Sequence, residues 1–248
     1  MHKRVRKIPV EKIETFEKSR AEHGMSLTTA FYEIRDLIVH GKLSPGTWIV
    51  ETDLAEHLGM SRTPVRSAIQ WLQREGYILE HKSASKSRMI VAPLTKEDAS
   101  ELYPIIGRIE GLAGRQVATL PIEKRAEIVD RVESLNNQLN LIVKTNEGRS
   151  GIFEVDAAFH RAIVESGAGP RLKALHKAVE PQTERYWRLY ASSIMLDLHL
   201  SIAEHDAIIK AIKSGEADRI ERTLQINWEN GLLRLTTVME IFGERGSF

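Results

Sequence analysis

Two sets of residues in this chain have types and spacing that could do chemistry. Asp156 and His160 stand at i and i+4 in Asp-Ala-Ala-Phe-His. On a helix they share one face, so a carboxylate and an imidazole could hold one metal ion. His205, in Glu204-His205-Asp206-Ala207-Ile208-Ile209, sits on an apolar helix face and could add a second imidazole. Carboxylate and imidazole donors without thiols suit Zn²⁺, Ni²⁺, Mn²⁺ or Fe²⁺. The second set is Arg62 and Arg66, also four apart, in Ser61-Arg62-Thr63-Pro64-Val65-Arg66. Arginine pairs bidentately with guanine O6 and N7, and the first turn of a helix is the part that reaches base edges in the major groove. Ser61 and Thr63 put hydroxyls at the same helix N-terminus, where phosphate binds.

The elements that must position these residues follow from periodicity and breakers. Phe31, Ile34, Leu37 and Ile38 recur at helical spacing over 28–40, and Gly41 ends that helix. Glu51 to Leu58 is a short helix stopped by Gly59, with Ser61 as N-cap of the next, whose inward stripe is Val65, Ala68, Ile69 and Leu72. Residues 77–80 and 89–92 read as short strands. The basic segment between them offers His81, Lys82, Lys86 and Arg88 to a DNA backbone or minor groove. Three helices and a two-stranded ribbon make a winged helix-turn-helix.

After Pro93 the chain is helical almost throughout. Helices are predicted over 95–119, 122–145, 149–166, 170–191, 196–214 and 216–242, with Pro104 kinking or splitting the first. The expected fold is therefore mainly α: a winged helix-turn-helix domain (26–92), then an antiparallel all-helical bundle of six or seven helices (95–242) that can enclose a pocket. Residues 1–25 form a basic N-terminal extension.

Composition agrees. Residues 1–92 carry 15 Lys/Arg against 11 Asp/Glu, and residues 93–248 carry 20 against 23. A basic front and an acidic back suit a nucleic-acid head joined to a domain with another task. The chain has no cysteine, which excludes disulfides and thiolate metal sites. No apolar run approaches the ~20 residues of a membrane span. With no targeting segment, the expected location is the cytoplasm.

The run Phe31-Tyr32-Glu33-Ile34-Arg35, the turn Leu43-Ser44-Pro45-Gly46 and the stretch Ser61 to Arg66 resemble the N-terminal domain of GntR-family bacterial transcription regulators. The resemblance implies base or phosphate contacts by Arg62 and Arg66 and a phosphate neighbour in Thr52. It also brings Arg35 among the candidate DNA contacts. The wing tip departs from the family's glycine-rich form.

Asp-x-x-x-His followed by Glu-His and Ala211-Ile212-x-x-Gly215 resembles the FCD effector domain of the FadR subfamily. By that resemblance a divalent metal held by Asp and three His helps bind a small carboxylate effector. Asp156, His160 and His205 fall on three of those positions; the fourth falls on Asn227, a poorer ligand. A second departure is Ile106, four residues before Glu110, where members often carry an arginine that pairs with the effector. Arg161 or Arg185 could replace it, with Tyr186 among the aromatics near the pocket. His176 and His199 are read as surface or packing residues.

The implied function is a homodimeric regulator on an inverted-repeat operator. It is expected to act as a repressor released by a small metabolite, an organic acid. The alternative keeps the head but uses a metal-free pocket for a larger apolar or acyl ligand. A metal-dependent hydrolase is the remote reading and an enzyme is not expected: there is no nucleophile signature, and Glu204 points about 100° away from its neighbour His205 on a helix.

Overall fold

The computed structural model describes residues 26–82, 87–145, 151–190, 193 and 197–247. The N-terminal extension and the wing tip, Ser83 to Lys86, lie outside the described residues. The chain divides into two compact units, a head ending at Ala92 and a second unit beginning at Pro93 that also takes in residues 39–41.

In the head, α1 (26–39), α2 (Glu51–Leu58) and α3 (Arg62–Arg74) precede an antiparallel ribbon of β1 (Ile78–Lys82) and β2 (Ser87–Val91). The register pairs Ile78 with Val91 and Lys82 with Ser87. Both strands run further toward the tip than the sequence suggested. Residues 46–49 also add to the outer edge of β2, through Val91 N–H to Thr47 O (2.9 Å) and Ile49 N–H to Met89 O (2.8 Å). That extra rung was not expected: Leu43 to Thr47 reads as a turn, and nothing local assigns Trp48 and Ile49 to a strand.

The turn between α2 and α3 rests on Gly59, at φ 62°, a left-handed conformation glycine adopts without a Cβ penalty. Ser61 does occupy the N-cap position of α3, in extended backbone, but its hydroxyl makes no capping bond. Val65, Ala68, Ile69 and Leu72 are buried, as are Phe31, Ile34, Tyr77 and Ile78 of the same unit. Burying each of Val65, Ile69 and Leu72 stabilises the head by about 1.5–3 kcal/mol before entropy is counted.

The second unit has six helices among the described residues: α4 (Lys96–Val117), α5 (Ile122–Thr145), α6 (Ile152–Gly167), α7 (Pro170–Leu189), α8 (Leu198–Ser214) and α9 (Ala217–Phe242). Pro104 does not split α4. Pro104 and Ser100, whose carbonyl loses its helical partner, both lie on the exposed face, where water can satisfy that carbonyl. None of the described helices is long and apolar enough to cross a membrane.

Two antiparallel pairs frame the interior. Helix α4 lies against α9 through Gly107, Gly111 and Gly114, one turn apart. A Cβ on Gly107 would stand 3.0 Å from Trp228 Cβ, and one on Gly114 would stand 2.4 Å from Leu224 Cδ1. The small residues let the helices approach closely, which brings Trp228 over the buried side of α4. Helices α5 and α8 run antiparallel, joined at Lys213–Glu133 and at Asn136–Asp206. The main core (Val132, Phe159, Ile163, Ile208, Ile212 and Leu224) lies among α5, α6, α8 and α9. A second cluster of Tyr103, Tyr186, Tyr190, Leu235 and Met239 closes the end near Leu94.

Candidate metal centre and nucleic-acid interface

Three side chains from two helices converge inside the second unit. Asp156 and His160 come from successive turns of α6, and His205 comes from α8. One ligand atom of each lies within 4.8 Å of the others. His160 and His205 are buried, and Asp156 is 16% exposed at its side chain. The i,i+4 spacing thus does what the sequence implied.

Each imidazole is held from behind. His160 Nδ1 is 2.6 Å from Glu110 Oε2 on α4. The same carboxylate receives His176 Nε2 at 3.0 Å and the Trp228 indole N–H at 2.7 Å. His205 Nδ1 is 3.1 Å from Asn136 Oδ1 on α5, and the His205 ring stacks on Phe159 with centroids 3.9 Å apart and planes 8° from parallel. His205 Nε2 is buried without a hydrogen-bond partner. It stands 3.6 Å from Asp156 Oδ1, too far for a hydrogen bond.

The electrostatics follow from this packing. Burial alone would push the Glu110 carboxyl up, but the His160 and His176 rings override it and hold it at about 2. Burial would lower His160, and Glu110 instead raises it to about 9. Burial lifts Asp156 to about 6, against the pull of His160. Burial and the neighbouring His160 charge keep His205 well below its ordinary value. In the metal-free site His160 therefore carries the proton and His205 is neutral.

Two pockets, of about 430 and 400 Å³ counting the solvent at their mouths, adjoin at Asp156, His160, Trp187 and Trp228. The first adds Phe153, Glu180, Thr183 and Glu184; the second adds Tyr103, Ser201, His205, Asn227 and Arg234. Asn227 thus lies in the second cavity, with its Nδ2 donating to Glu204 at 2.8 Å. Glu204 also accepts from Asn230 (2.9 Å) and from Arg234 through both guanidinium nitrogens (2.7 and 3.0 Å). It is a saturated acceptor that ties α8 to α9.

The expected effector contacts are not where the sequence reading put them. Arg161 pairs with Glu180 on the exposed side, Arg185 is buried outside both cavity linings, and Tyr186 lies in the second core cluster. The Tyr186 hydroxyl is 2.6 Å from Asp98 Oδ2 and accepts the Thr95 N–H. Among the described residues lining these two cavities, the arginine is Arg234. Ile106, where an arginine was missed, is fully buried. His176 is a buried packing residue bonded to Glu110, and His199 is exposed. Glu110, Asn136, Glu204 and Arg234 had no assigned role in the sequence reading. A lone acid at Glu110, on an otherwise apolar stripe with Ile106, Ile109 and Ala113, was the one signal available.

In the head, Arg62 and Arg66 project from the first turns of α3, opposite its buried stripe, with side chains 60% and 56% exposed. Glu51, the first residue of α2, receives Arg66 Nε at 2.9 Å and lies 3.8 Å from Arg62. Ser61, Thr63 and Thr52 are exposed beside them, and the Thr52 hydroxyl donates to Asp53. Lys82 is exposed on β1, while His81 and Arg88 pack on Trp48, the Arg88 guanidinium 4.1 Å from the ring centroid. Arg35 departs from expectation. Its side chain is only 17% exposed, pairs with Asp36 and lies 4.8 Å over the Tyr32 ring, so it is packed rather than presented.

Comparison with known proteins places both units. Residues 28–84 match the bacterial regulatory proteins of the gntR family, and residues 101–229 match the FCD domain. A probable D-xylose utilization operon transcriptional repressor of Paenarthrobacter nicotinovorans is 28% identical over 81% of this chain and 86% of its own length. The gluconate operon transcriptional repressor of Bacillus licheniformis is 24% identical over 86% and 84%. Among solved structures, McbR/YncC of E. coli covers 86% of this chain and 97% of its own at a TM-score of 0.65 and 20% identity. A putative GntR transcriptional regulator from Rhodococcus sp. RHA1 covers 85% and 97% at 0.63 and 22%. At those identities the likeness shows the fold alone.

Proposed function

The chain belongs to the GntR family of bacterial regulatory proteins, with an FCD domain behind its winged helix-turn-helix, and from that premise we propose that it is a repressor whose hold on DNA is released by a small hydroxylated acid bound beside a divalent metal. The family regulates transcription and is not one of enzymes, so the hydrolase reading ends here. The observation that carries the metal is the buried, unpartnered His205 Nε2 beside Asp156 and His160, where two cavities meet. A buried polar atom without a partner costs free energy, and an ion would satisfy it. Asp156, His160 and His205 would hold that ion, and Asn227, whose Nδ2 is committed to Glu204, would offer its amide oxygen. A bound divalent ion supplies a Lewis-acidic centre for an oxygen-bearing ligand.

The ligand class rests on the linings. Trp187 and Trp228 give flat apolar faces, Thr183, Ser201 and Asn227 give hydroxyl and amide partners, and Arg234 gives a guanidinium edge. The names of two relatives bear on this: both the xylose and the gluconate system concern polyhydroxylated compounds, and gluconate is also an acid. In the head, Arg62 and Arg66 would read base edges, with Ser61, Thr63, Thr52 and Lys82 on phosphates. Two heads of a homodimer would then meet an inverted repeat. Asn227 in place of a third imidazole, together with the aromatic lining, favours a second reading: a metal-free pocket for a larger apolar ligand.

Elemental analysis of chelator-free protein, with His160→Ala as control, separates the two. Near one metal per chain, lost in the variant, supports the first reading. Thermal shifts on the metal-loaded protein with gluconate and other hydroxylated acids, against the neutral sugar D-xylose, then locate the effector class. Protein that takes up no metal, and that is stabilised only by long acyl thioesters, would refute it in favour of the second.

A further inference from the structure

The Asn136 amide can be oriented from its surroundings. Its nitrogen faces only acceptors, the Ile202 carbonyl at 3.2 Å and Asp206 Oδ1 at 2.8 Å. A carbonyl and a carboxylate cannot donate, so the NH₂ group must point at them and Oδ1 must point at His205. That oxygen lies 3.1 Å from His205 Nδ1 and has no proton to give. The proton between them therefore sits on Nδ1, and Nε2 carries a lone pair. Turning the imidazole over would keep its stack on Phe159 but would set a ring carbon, not Nδ1, against Asn136 Oδ1 and lose this hydrogen bond. The result is a buried nitrogen, bare of hydrogen, beside Asp156.

We infer that Asn136, itself held by Asp206, is the positioning residue that fixes His205 in the Nδ1–H tautomer and so presents Nε2 as a metal ligand. The inference rests on the metal reading above for its purpose, although the tautomer belongs to the metal-free protein. Without Asn136, the preferred arrangement reverses. A buried Nδ1–H would have no acceptor, whereas an Nε2–H could turn to Asp156 and close the ligand position. Groups behind metal-bound histidines commonly account for about 10–100-fold in metal affinity through this control of tautomer and ring orientation. The residue comes from α5, 69 positions before His205, which is why no local motif announces it.

The test uses the full chain labelled with ¹⁵N-histidine, the His205 signals being assigned with His205→Gln. Long-range ¹H–¹⁵N spectra of the metal-free protein read the tautomer, and chelator competition reads Zn²⁺ affinity. Wild-type protein should show Nδ1–H. Asn136→Leu should shift His205 to Nε2–H and bind Zn²⁺ about 10–100-fold more weakly. The exchanged pair N136D/D206N keeps an oxygen on Nδ1 and should stay within about threefold of wild type, well short of that loss. A wild-type Nε2–H tautomer overturns the inference by itself, even if Asn136→Leu does not fold. So does wild-type affinity in Asn136→Leu, or an exchanged pair as weak as that variant. Failure of every form to bind Zn²⁺ overturns the metal reading instead, and the tautomer is still decided by the metal-free spectra.

Discussion

Replacing Glu110 by Gln tests the electrostatic core of the effector domain. The carboxylate is fully buried and accepts from His160, His176 and Trp228 at 2.6, 3.0 and 2.7 Å. Gln keeps the shape but turns one oxygen into a donor facing donors. Breaking a buried charge pair by neutralising one partner costs about 3–5 kcal/mol, so about 4 kcal/mol is expected at pH 6. The pH dependence is the sharper part. His160 is raised from 6.5 to about 9, so its contribution is complete below 6.5 and is lost as pH rises through 9. Glu110 is lowered from 4.5 to about 2, so its contribution is complete above 4.5 and is lost as pH falls through 2. The wild-type advantage should thus be greatest between pH 4.5 and 6.5. At about 1.4 kcal/mol per tenfold, the His160 rise represents about 3 kcal/mol, and the gap should narrow to about 1 kcal/mol by about pH 9.5. Urea titrations of metal-free protein, read from Trp228 with Trp48 and Trp71 replaced by Phe and Trp187 by Leu, measure it. A gap under about 1 kcal/mol at pH 6, or one that stays constant to about pH 9.5, would refute the argument.

Two further outcomes follow from other contacts. Arg66→Ala should weaken binding to a duplex selected from a random library by about 1–3 kcal/mol while lowering the salt slope by no more than about 1. Uniform weakening on all sequences would make Arg66 a phosphate contact instead. Gly167→Ala should destabilise the domain by about 3 kcal/mol or more, because its Cβ would stand 2.1 Å from the Ala113 carbonyl oxygen. Gly169→Ser, where no atom lies within 4 Å of an added Cβ, should stay within about 0.5 kcal/mol. Thermal melts of the two variants decide whether the close α4–α6 approach is real.

The helices were legible because their signals are local. Stripes such as Val65, Ala68, Ile69 and Leu72, and stops such as Gly59 and Gly215, set boundaries within a few residues. What failed locally failed for a stated cause. Pro104 was expected to kink or split its helix because a sequence does not say which face of α4 meets water. The rung at residues 46–49 went unread, with 43–47 taken as a turn, because its strand partner is β2, some forty residues on. Arg35 was read as a DNA contact because its family position says nothing of the Tyr32 ring beneath it.

The site divides along the same line. Asp156 and His160 declare themselves by spacing, but the groups that make them chemically useful arrive across the fold. Glu110 is 50 residues from His160, and Arg234 is 30 from Glu204. The exchange of Ile106 for an expected arginine shows why this matters. Reading along the chain, the natural replacements were nearby cations on α6 and α7, and neither lines a cavity, Arg161 being held on the outer side of Glu180. The cation at the second cavity is Arg234 of α9, forked onto Glu204 and reaching Ser201 Oγ at 3.2 Å. A guanidinium has five N–H donors in a fixed plane, so donors remain for a ligand oxygen without breaking the fork. Glu204 cancels much of its charge, however. An acid bound there would owe its hold to geometry and to the centre at Asp156, His160 and His205 more than to Arg234. Arg234→Lys, which keeps the charge and discards the fork, should therefore weaken effector binding nearly as much as Arg234→Ala.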